Sequence, residues 1–300
     1  VEQLVARRAH NPEVAGSNPV PATNKSLKSY DFSDLYFYNF FGGLFLYWSN
    51  NTILVHEETI SSPQLPAAFD GLRIAHLSDL HGKEFGSGNS LLLQVVENAQ
   101  PDLIVITGDL IDQESQYDAL PALMDRLTAI APTYYVTGNH EWAVRKVNVL
   151  KDLLREHGVR VLSDEYELWT RDGATLAVAG VDDPNGPAGQ KTGPELRAEI
   201  DADYTVLLSH RDTVEEYSSW GYDLVLCGHG HGGIIRIPIL DRGLISNDHT
   251  LLPKYDGGLY TIGDFTCCVS RGLGSNTVPI PLFRLFNRPD LPIIVLRTSA

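Results

Sequence analysis

Residues 72–82 read LRIAHLSDLHG, an apolar run that leads directly into two residues able to bind a metal. The apolar part is typical of a buried strand, and Asp79 and His81 lie in the polar loop that follows it. Residues 89–100 come next, and their spacing of apolar side chains predicts an amphipathic helix. Residues 101–110 are a second apolar strand, which again ends in a polar pair. Strands that alternate with helices in this way predict an α/β protein.

The same strand-then-loop arrangement recurs three more times, in residues 133–141, 204–212 and 223–233. One helix is predicted over residues 142–158, with Gly158 as its C-terminal signal. Residues 166–180 predict a β-hairpin whose turn is Asp172-Gly173. Short apolar runs after residue 233 predict further strands and little helix. We therefore predict packed sheets with helices outside them and a β-rich C-terminal part.

Composition excludes some functions and limits others. The chain has 300 residues, 43% of them hydrophobic, which is enough to bury a large core. A formal net charge of −15 argues against a nucleic-acid binder, since such binding needs clustered Lys and Arg. An anionic substrate remains possible if bound cations supply the positive charge. The odd count of three Cys favours a reducing compartment and buried free thiols over a disulfide framework.

The N-terminal region differs in pattern from the rest. Residues 1–34 have no apolar period and are predicted to be an irregular tail. Because Gly16-Ser17-Asn18-Pro19 is what the T-arm of a transfer RNA gene would encode, we hypothesise that the start lies too far upstream. Residues 35–50 are an anchor-like hydrophobic segment, although a span needs ~20 apolar residues. Packing of this segment on the domain is an equal alternative, so cytoplasmic and membrane-associated locations both stay open. The catalytic domain is predicted over residues 65–300.

Ligand-type residues stand at five strand-to-loop junctions. They are Asp79, His81, Asp109, Asn139, His140, His210, His229 and His231. Because ligands of α/β sheets bind at the carboxyl ends of strands, residues far apart in sequence can meet there. Carboxylate, amide and imidazole donors together favour a pair of divalent cations such as Mn, Fe or Zn. Such a pair can stabilise both the attacking and the leaving oxygen of a phosphoryl transfer.

These junctions resemble the five sequence blocks of the calcineurin-like metallophosphoesterases, in order and rough spacing. The blocks are Asp79-Leu80-His81, Gly108-Asp109-Leu110-Ile111-Asp112, Gly138-Asn139-His140-Glu141, Ser209-His210 and Gly228-His229-Gly230-His231. The resemblance implies a four-layer α/β/β/α sandwich of two mixed sheets. The sequence segments LPAAFDGLRIAHLSDLHG and VSRGLGS are most similar to a bacterial, often membrane-associated branch of this family, which includes UDP-2,3-diacylglucosamine hydrolases. A small phosphoester or a lipid-linked substrate is therefore expected.

The resemblance also implies residue roles. One metal would be held by Asp79, His81 and His231, and the other by Asn139, His210 and His229, with Asp109 bridging them. His140 would stabilise developing charge and protonate the leaving oxygen. A metal-bridging hydroxide would be the nucleophile. The sequence makes no prediction of oligomeric state.

Several positions leave alternatives open. The family usually has Thr where Gly230 stands and Gln where Ile234 stands, so a catalytically weak, membrane-tethered metal-binding scaffold is the rival hypothesis. Asp112 is predicted to be a helix cap rather than a ligand. Glu141 is either a supporting residue or a solvated helix-start carboxylate. His76 is predicted to be a core histidine.

Three further positions are weaker candidates. The pair Asp182-Asp183 favours turn chemistry, with a place at the edge of the site as the second reading. Arg211 and Arg284 could contact a substrate phosphate, although their spacing does not require it.

Overall fold

A computed structural model describes residues 32–246, 249–275 and 284–299. The chain divides into two compact units, Val1–Phe41 and Gly42–Ala300. Helix α1, Phe32–Asn51, spans this division and contains the predicted anchor-like segment. Residues 1–31 of the predicted tail lie outside the described residues. In the described ranges, no helix has both the length and the apolar character needed to cross a membrane.

The remaining elements alternate as expected for an α/β chain. The helices are α2 (Ser90–Asn98), α3 (Leu120–Ile130), α4 (Asn139–Val144), α5 (Val147–Glu156), α6 (Gly193–Glu199) and α7 (Val214–Tyr217). The strands are β1 (Leu54–Ser62), β2 (Arg73–Leu77), β3 (Leu103–Thr107), β4 (Thr133–Val136), β5 (Arg160–Val161), β6 (Glu165–Arg171), β7 (Ala174–Gly180), β8 (Tyr204–Leu208), β9 (Leu224–Cys227), β10 (Arg236–Ile237), β11 (Arg242–Gly243), β12 (Gly258–Ile262), β13 (Phe265–Val269) and β14 (Asp290–Thr298).

The first sheet has the order β1-β14-β2-β3-β4-β5. Strands β2 to β5 run parallel, while β14 is antiparallel to β2 and parallel to β1. Strand β1 precedes the predicted domain boundary at residue 65, yet it is hydrogen-bonded along its length to β14. The first sheet therefore includes residues that the sequence analysis placed before the domain.

The second sheet has the order β12-β13-β9-β8-β7-β6. Strands β13, β9, β8 and β7 are parallel, and an antiparallel strand stands at each edge. The predicted hairpin is confirmed, because β6 pairs with β7 and Arg171 faces Ala174 across the turn. A separate two-stranded ribbon, β10-β11, accounts for part of the β-rich C-terminal region.

The fold has four layers, namely helices, the first sheet, the second sheet and further helices, and an apolar cluster lies between each pair of neighbouring layers. Leu103, Val105 and Ile294 from the first sheet join Val206 and Leu226 from the second in a core between the sheets. The opposite face of the first sheet packs on helices α2, α3 and α5, through side chains such as Leu92, Met124 and Leu150. The opposite face of the second sheet packs on α6 and α7, through Leu196, Val214 and Tyr217. The predicted α/β/β/α sandwich of two mixed sheets is confirmed.

The single helix predicted over residues 142–158 is wrong. The structure has two helices there: α4 ends at Val144, and its C-cap residue Arg145 has a left-handed φ of 62°. Helix α5 then starts from Lys146 and buries Leu150 and Leu154 against the first sheet. The break lets the short α4 begin at Asn139, at the end of β4, while α5 takes a direction set by its apolar face.

Candidate active site

Every predicted site residue lies just after a strand, at the same end of the two sheets. Asp79 and His81 follow β2, Asp109 follows β3, Asn139 and His140 follow β4, His210 follows β8, and His229 and His231 follow β9. Because these strands are parallel within their sheets, their carboxyl ends meet at one edge. The structure brings all eight residues together.

Asp79, His81 and His231 form one group of potential ligands. His231 Nε2 lies 3.1 Å from His81 Nε2 and 3.5 Å from Asp79 Oδ1. All three side chains are buried. Asp79 and His81 come from the first sheet and His231 from the second, so the group is shared between the sheets.

A second group contains Asp109, His210 and His229. His210 Nε2 lies 3.2 Å from Asp109 Oδ2, 3.1 Å from Asn139 Oδ1 and 3.2 Å from His229 Nδ1. Asp109 Oδ2 is also 3.8 Å from His81 Nε2 in the first group. Asp109 therefore lies between the two groups.

The loops that carry these side chains have an unusual backbone. Asp79, His81, Asp109, His229 and His231 all have φ between 50° and 72°. The left-handed region costs non-glycine residues roughly 1 kcal/mol or more each, so the surrounding packing must enforce it. Loop contacts do so, since Asp79 N donates to Gly108 O at 3.1 Å and His81 N donates to Asp109 O at 2.9 Å. Five of the eight candidate site residues therefore carry a strained backbone.

Two glycines permit the close approach of these loops. A Cβ on Gly228 would lie 1.9 Å from Ser78 Oγ and 2.3 Å from Asp79 Oδ2. A Cβ on Gly108 would lie 2.5 Å from Gly138 N and 2.8 Å from His210 Nδ1, and its φ is 83°. Side chains at these positions would push the two sheets' loops apart.

The electrostatics of the site couple carboxylates to imidazoles. Burial raises the pKa of Asp79. Burial also acts to raise the pKa of Asp109, but the charge and hydrogen bond of His210 hold it well below its usual value. Burial disfavours the charged form of His210, yet Asp109 raises its pKa to about 10. Burial, together with the positive charges of His81 and Arg284, holds the pKa of His231 well below its usual value.

His140 lies at the edge of the site, with 22% of its side chain exposed. Its Nδ1 is 2.9 Å from Asp112 Oδ1, and its Nε2 is 3.9 Å from Asp109 Oδ2. Burial lowers the pKa of His140, but the hydrogen bond with Asp112 and the nearby charge of Asp109 raise it above its usual value. The exposed position and the raised pKa suit a side chain that gives up a proton.

The prediction that Asp112 is a helix cap is wrong. The helical turn that follows begins at Glu114 with Gln113 as its cap. Asp112 Oδ1 instead accepts a hydrogen bond from His81 Nδ1 at 2.5 Å, besides its contact with His140. A carboxylate that fixes one imidazole nitrogen leaves the other free to bind a cation.

Glu141 is a supporting residue rather than a solvated one, since it is fully buried. Its carboxylate accepts from Asp109 N at 3.0 Å, Leu110 N at 2.6 Å and Gly138 N at 2.7 Å. Burial raises the pKa of Glu141 to about 7. Its role is to fix the loops that carry Asp109 and Asn139.

A scan against family models matches residues 72–233 to the calcineurin-like phosphoesterases. The chain belongs to this family. The uncharacterised metallophosphoesterase YkuE of Bacillus subtilis is 29% identical over 262 residues, covering 84% of this chain and 88% of that protein. A metallophosphoesterase of Aquifex aeolicus is 30% identical over 252 residues, which cover 81% of this chain and 91% of that protein. Phosphodiesterase YaeI of Escherichia coli is 28% identical over 235 residues, which cover 75% of this chain and 82% of that protein.

Membership of the calcineurin-like phosphoesterases implies divalent metal ions, and the donor set of this chain fits them. His81 and His210 donate from Nδ1, to Asp112 and to Thr107 O at 2.8 Å, so in the neutral form each presents the lone pair of Nε2 to the site. Facing these nitrogens are carboxylate oxygens and further imidazoles, which suit borderline to hard transition metals. The thiols do not take part, because Cys227, Cys267 and Cys268 are buried in strands, as predicted.

Two arginines lie against the candidate ligands His229 and His231. Arg284 is buried, donates to Gly274 O and to Arg271 O, and places Nη2 3.3 Å from His231 Nδ1. Arg211 Nη1 lies 3.1 Å from His229 Nε2. Asp183 does not only form a turn, since its buried carboxylate pairs with Arg211 at 2.6 Å. Sequence spacing gave no signal for the pairing of Asp183 with Arg211.

His76 lies away from these groups, in strand β2. Its Nε2 is 2.9 Å from Thr107 Oγ1, and the side chain is buried. Burial lowers the pKa of His76 to about 4, so it is neutral at physiological pH. The prediction of a core histidine is confirmed.

Proposed function

We propose that this protein hydrolyses a phosphoester with two divalent cations. Asp79, His81 and His231 would hold one cation, Asn139, His210 and His229 the other, and Asp109 would contact both. Bound there, the cations would polarise the phosphoryl oxygens and lower the pKa of the attacking water. The observation that carries the proposal is the position of Asp109 Oδ2, 3.2 Å from His210 of one group and 3.8 Å from His81 of the other.

The protein's own residues supply orientation and a proton. Asp112 fixes the rings of His81 and His140, and Glu141 fixes the loops beneath Asp109 and Asn139. His140, with its raised pKa, would donate from Nε2 to the leaving oxygen as the ester bond breaks. The proton then leaves with the alcohol product, and the imidazole recovers it from solvent.

Turnover of a generic diester tests this proposal. Purified protein is loaded with Mn²⁺, its metal content is measured by elemental analysis, and hydrolysis of bis-p-nitrophenyl phosphate is followed with and without a chelator. We expect metal-dependent release of p-nitrophenolate. Absence of turnover at confirmed metal occupancy would instead favour the metal-binding scaffold.

A diester is the preferred substrate class, since the relative from Escherichia coli is named a phosphodiesterase. A panel of monoesters and diesters, including lipid-linked compounds, compares kcat/KM directly. Higher values for every monoester would contradict the preference. The lipid-linked substrate, the membrane location and the UDP-2,3-diacylglucosamine hydrolase branch stay predictions of the sequence.

A further inference from the structure

A cavity of about 540 Å³ lies beside the second ligand group. Ser209 and Arg211, which flank His210 at the end of β8, form one wall. The loop of residues 184–193 and the aromatic side chains of Tyr217 and Trp220 form the others. A cavity of this size is within the range that small organic ligands occupy in proteins.

Arg211 connects this cavity to the metal groups, and its orientation is fixed. Its Nε donates to Asp183 Oδ2 at 2.6 Å and its Nη2 donates to Asp183 Oδ1 at 3.2 Å. Asp183 is fully buried, whereas 26% of the Arg211 side chain is exposed. A guanidinium bound through two nitrogens to a buried carboxylate is held in one plane, and here Nη1 is held beside His229 Nε2.

Arg211 also contacts the second ligand group. Its Nη1 lies 3.1 Å from His229 Nε2, and His229 Nδ1 lies 3.2 Å from His210 Nε2. Arg211 therefore belongs both to the cavity lining and to the immediate surroundings of the candidate ligands. A guanidinium held at this junction offers a positive charge and hydrogen-bond donors to an anionic group of a ligand bound in the cavity.

We propose that Arg211 binds a non-bridging oxygen of the substrate's phosphoryl group and that the cavity accepts an aromatic organic group of the ester. This inference rests on the proposed phosphoesterase function and names its substrate class. Trp220 and Tyr217 pack edge to face with ring centroids 4.9 Å apart, and Pro184 and Pro187 add apolar surface. Aromatic rings prefer such partners over aliphatic groups of similar area. Gln190 and Thr192 add polar side chains to the lining.

Two phosphonates that differ only in the organic group provide the test. Phenylphosphonate and methylphosphonate cannot be hydrolysed at their carbon–phosphorus bond, so binding to the Mn²⁺-loaded protein can be measured by titration calorimetry without turnover. We expect phenylphosphonate to bind about tenfold more tightly, because burial of a ring adds apolar contact area. Equal affinities for the two compounds would overturn the aromatic assignment.

Two variants separate the two halves of the proposal. Arg211→Ala should weaken both phosphonates by about tenfold or more, since each loses a charge-assisted hydrogen bond. Ala188→Trp places a large ring in an exposed part of the cavity lining, so it should weaken phenylphosphonate about tenfold and methylphosphonate less than twofold. The matched control Arg155→Ala changes an exposed arginine that pairs with Asp152, and both affinities should stay unchanged.

Metal content and thermal unfolding are measured for each variant, because Arg211→Ala leaves the buried Asp183 without its partner. If that variant loses metal, Arg211→Lys replaces it and should give an intermediate weakening. Unchanged affinities in Arg211→Lys, or equal weakening of both phosphonates in Ala188→Trp, would overturn the inference. Metal-dependent ester hydrolysis would survive that failure, whereas loss of hydrolysis in the wild type would end the proposed function itself.

Discussion

The two sheets contribute different chemistry to the same site. The loops after the first sheet supply the carboxylates Asp79 and Asp109 and, behind them, the buried Glu141 and Asp112, whose side chain is 1% exposed. The loops after the second sheet supply His210, His229 and His231, with Arg211 beside them. The first sheet's loops thus combine carboxylates with the imidazoles of His81 and His140, whereas the second sheet's loops contribute three imidazoles and the guanidinium of Arg211.

This difference explains why the site needs both sheets. The groups Asp79–His81–His231 and Asp109–His210–His229 each take members from both sheets, although His81, Asp112 and His140 also lie together on the first sheet's loops alone. In the metal-free protein, the halves neutralise each other, because Asp109 keeps a low pKa and His210 a high one. Packing of the apolar core between the sheets thus positions the chemistry as well as stabilising the fold.

Removal of the shared carboxylate should have the largest effect. Asp109→Ala deletes the acidic side chain that faces both groups, so we expect activity to fall by at least about a thousandfold and metal content to drop. Elemental analysis and a diester assay measure the two effects. Asp125→Asn is the matched control, since the Asp125 side chain is 61% exposed and pairs with His157 at the surface. Retention of both metals in Asp109→Ala would contradict its place between them.

Removal of the proposed proton donor should separate turnover from metal binding. We expect His140→Ala to lower kcat by about 10² to 10⁴ while the metal content stays at the wild-type value. His157→Ala, which removes a surface imidazole paired with Asp125, should leave both unchanged. Metal loss in His140→Ala equal to that in Asp109→Ala would refute the division of roles.

Asp112, which lies behind the candidate ligands of the first sheet, should affect the pH dependence of kcat. Asp112→Asn weakens the hydrogen bonds to His81 and His140, and we expect kcat to fall by about 10 to 100-fold. Asp112 raises the pKa of His140, so its loss lowers that pKa. A general acid must be protonated, and the decline of kcat at high pH should therefore begin at lower pH in the variant. If kcat fell at every pH but its decline at high pH began at the same pH as in the wild type, Asp112 would have a purely structural role.

On the second sheet, His210 should couple metal binding to pH. Its folded pKa of about 10 lies above the ordinary value, so its protonation stabilises the metal-free fold fully below about pH 6.5, and this contribution is lost as pH rises through 10. A cation must displace this proton. We expect Mn²⁺ affinity to rise up to about tenfold per pH unit between about pH 6 and 8, with proton release. Calorimetry in buffers of different ionisation enthalpy measures both, and a pH-independent affinity would argue against the coupling.

The smallest effect should come from Gly230, one of the two positions where this chain departs from the family pattern. A Cβ on Gly230 would lie 2.6 Å from Asp212 Oδ2, the end of a side chain that can move. We expect Gly230→Ala to lower the Tm by about 2 to 4 °C at most and to keep both metals. Gly228→Ala is the contrasting variant, because its Cβ would meet Ser78 and Asp79 at the junction of the sheets, and it should lose metal. Similar behaviour of the two variants would weaken the account of that junction.

Much of the fold could be predicted from local pattern. The apolar runs before Asp79, Asp109 and His229 are strands β2, β3 and β9, and Asp172-Gly173 does turn the β6-β7 hairpin. Local pattern failed at residues 142–158, where the helical period continues through the break at Arg145. It also gave no reason to place β1 in the first sheet, because its partner β14 lies more than 200 residues away.

The sequence by itself determined the kinds of donor atoms and their place after strands, because period-2 and buried-strand patterns are local and Asp, Asn and His are read directly from the chain. Only the tertiary structure decided which of these side chains contact one another. It turned Asp112 toward two imidazoles and paired Asp183 with Arg211. It also gave His140 and His210 their raised pKa values. Charge coupling and burial act through space between distant segments, so they exist only once the two sheets have packed.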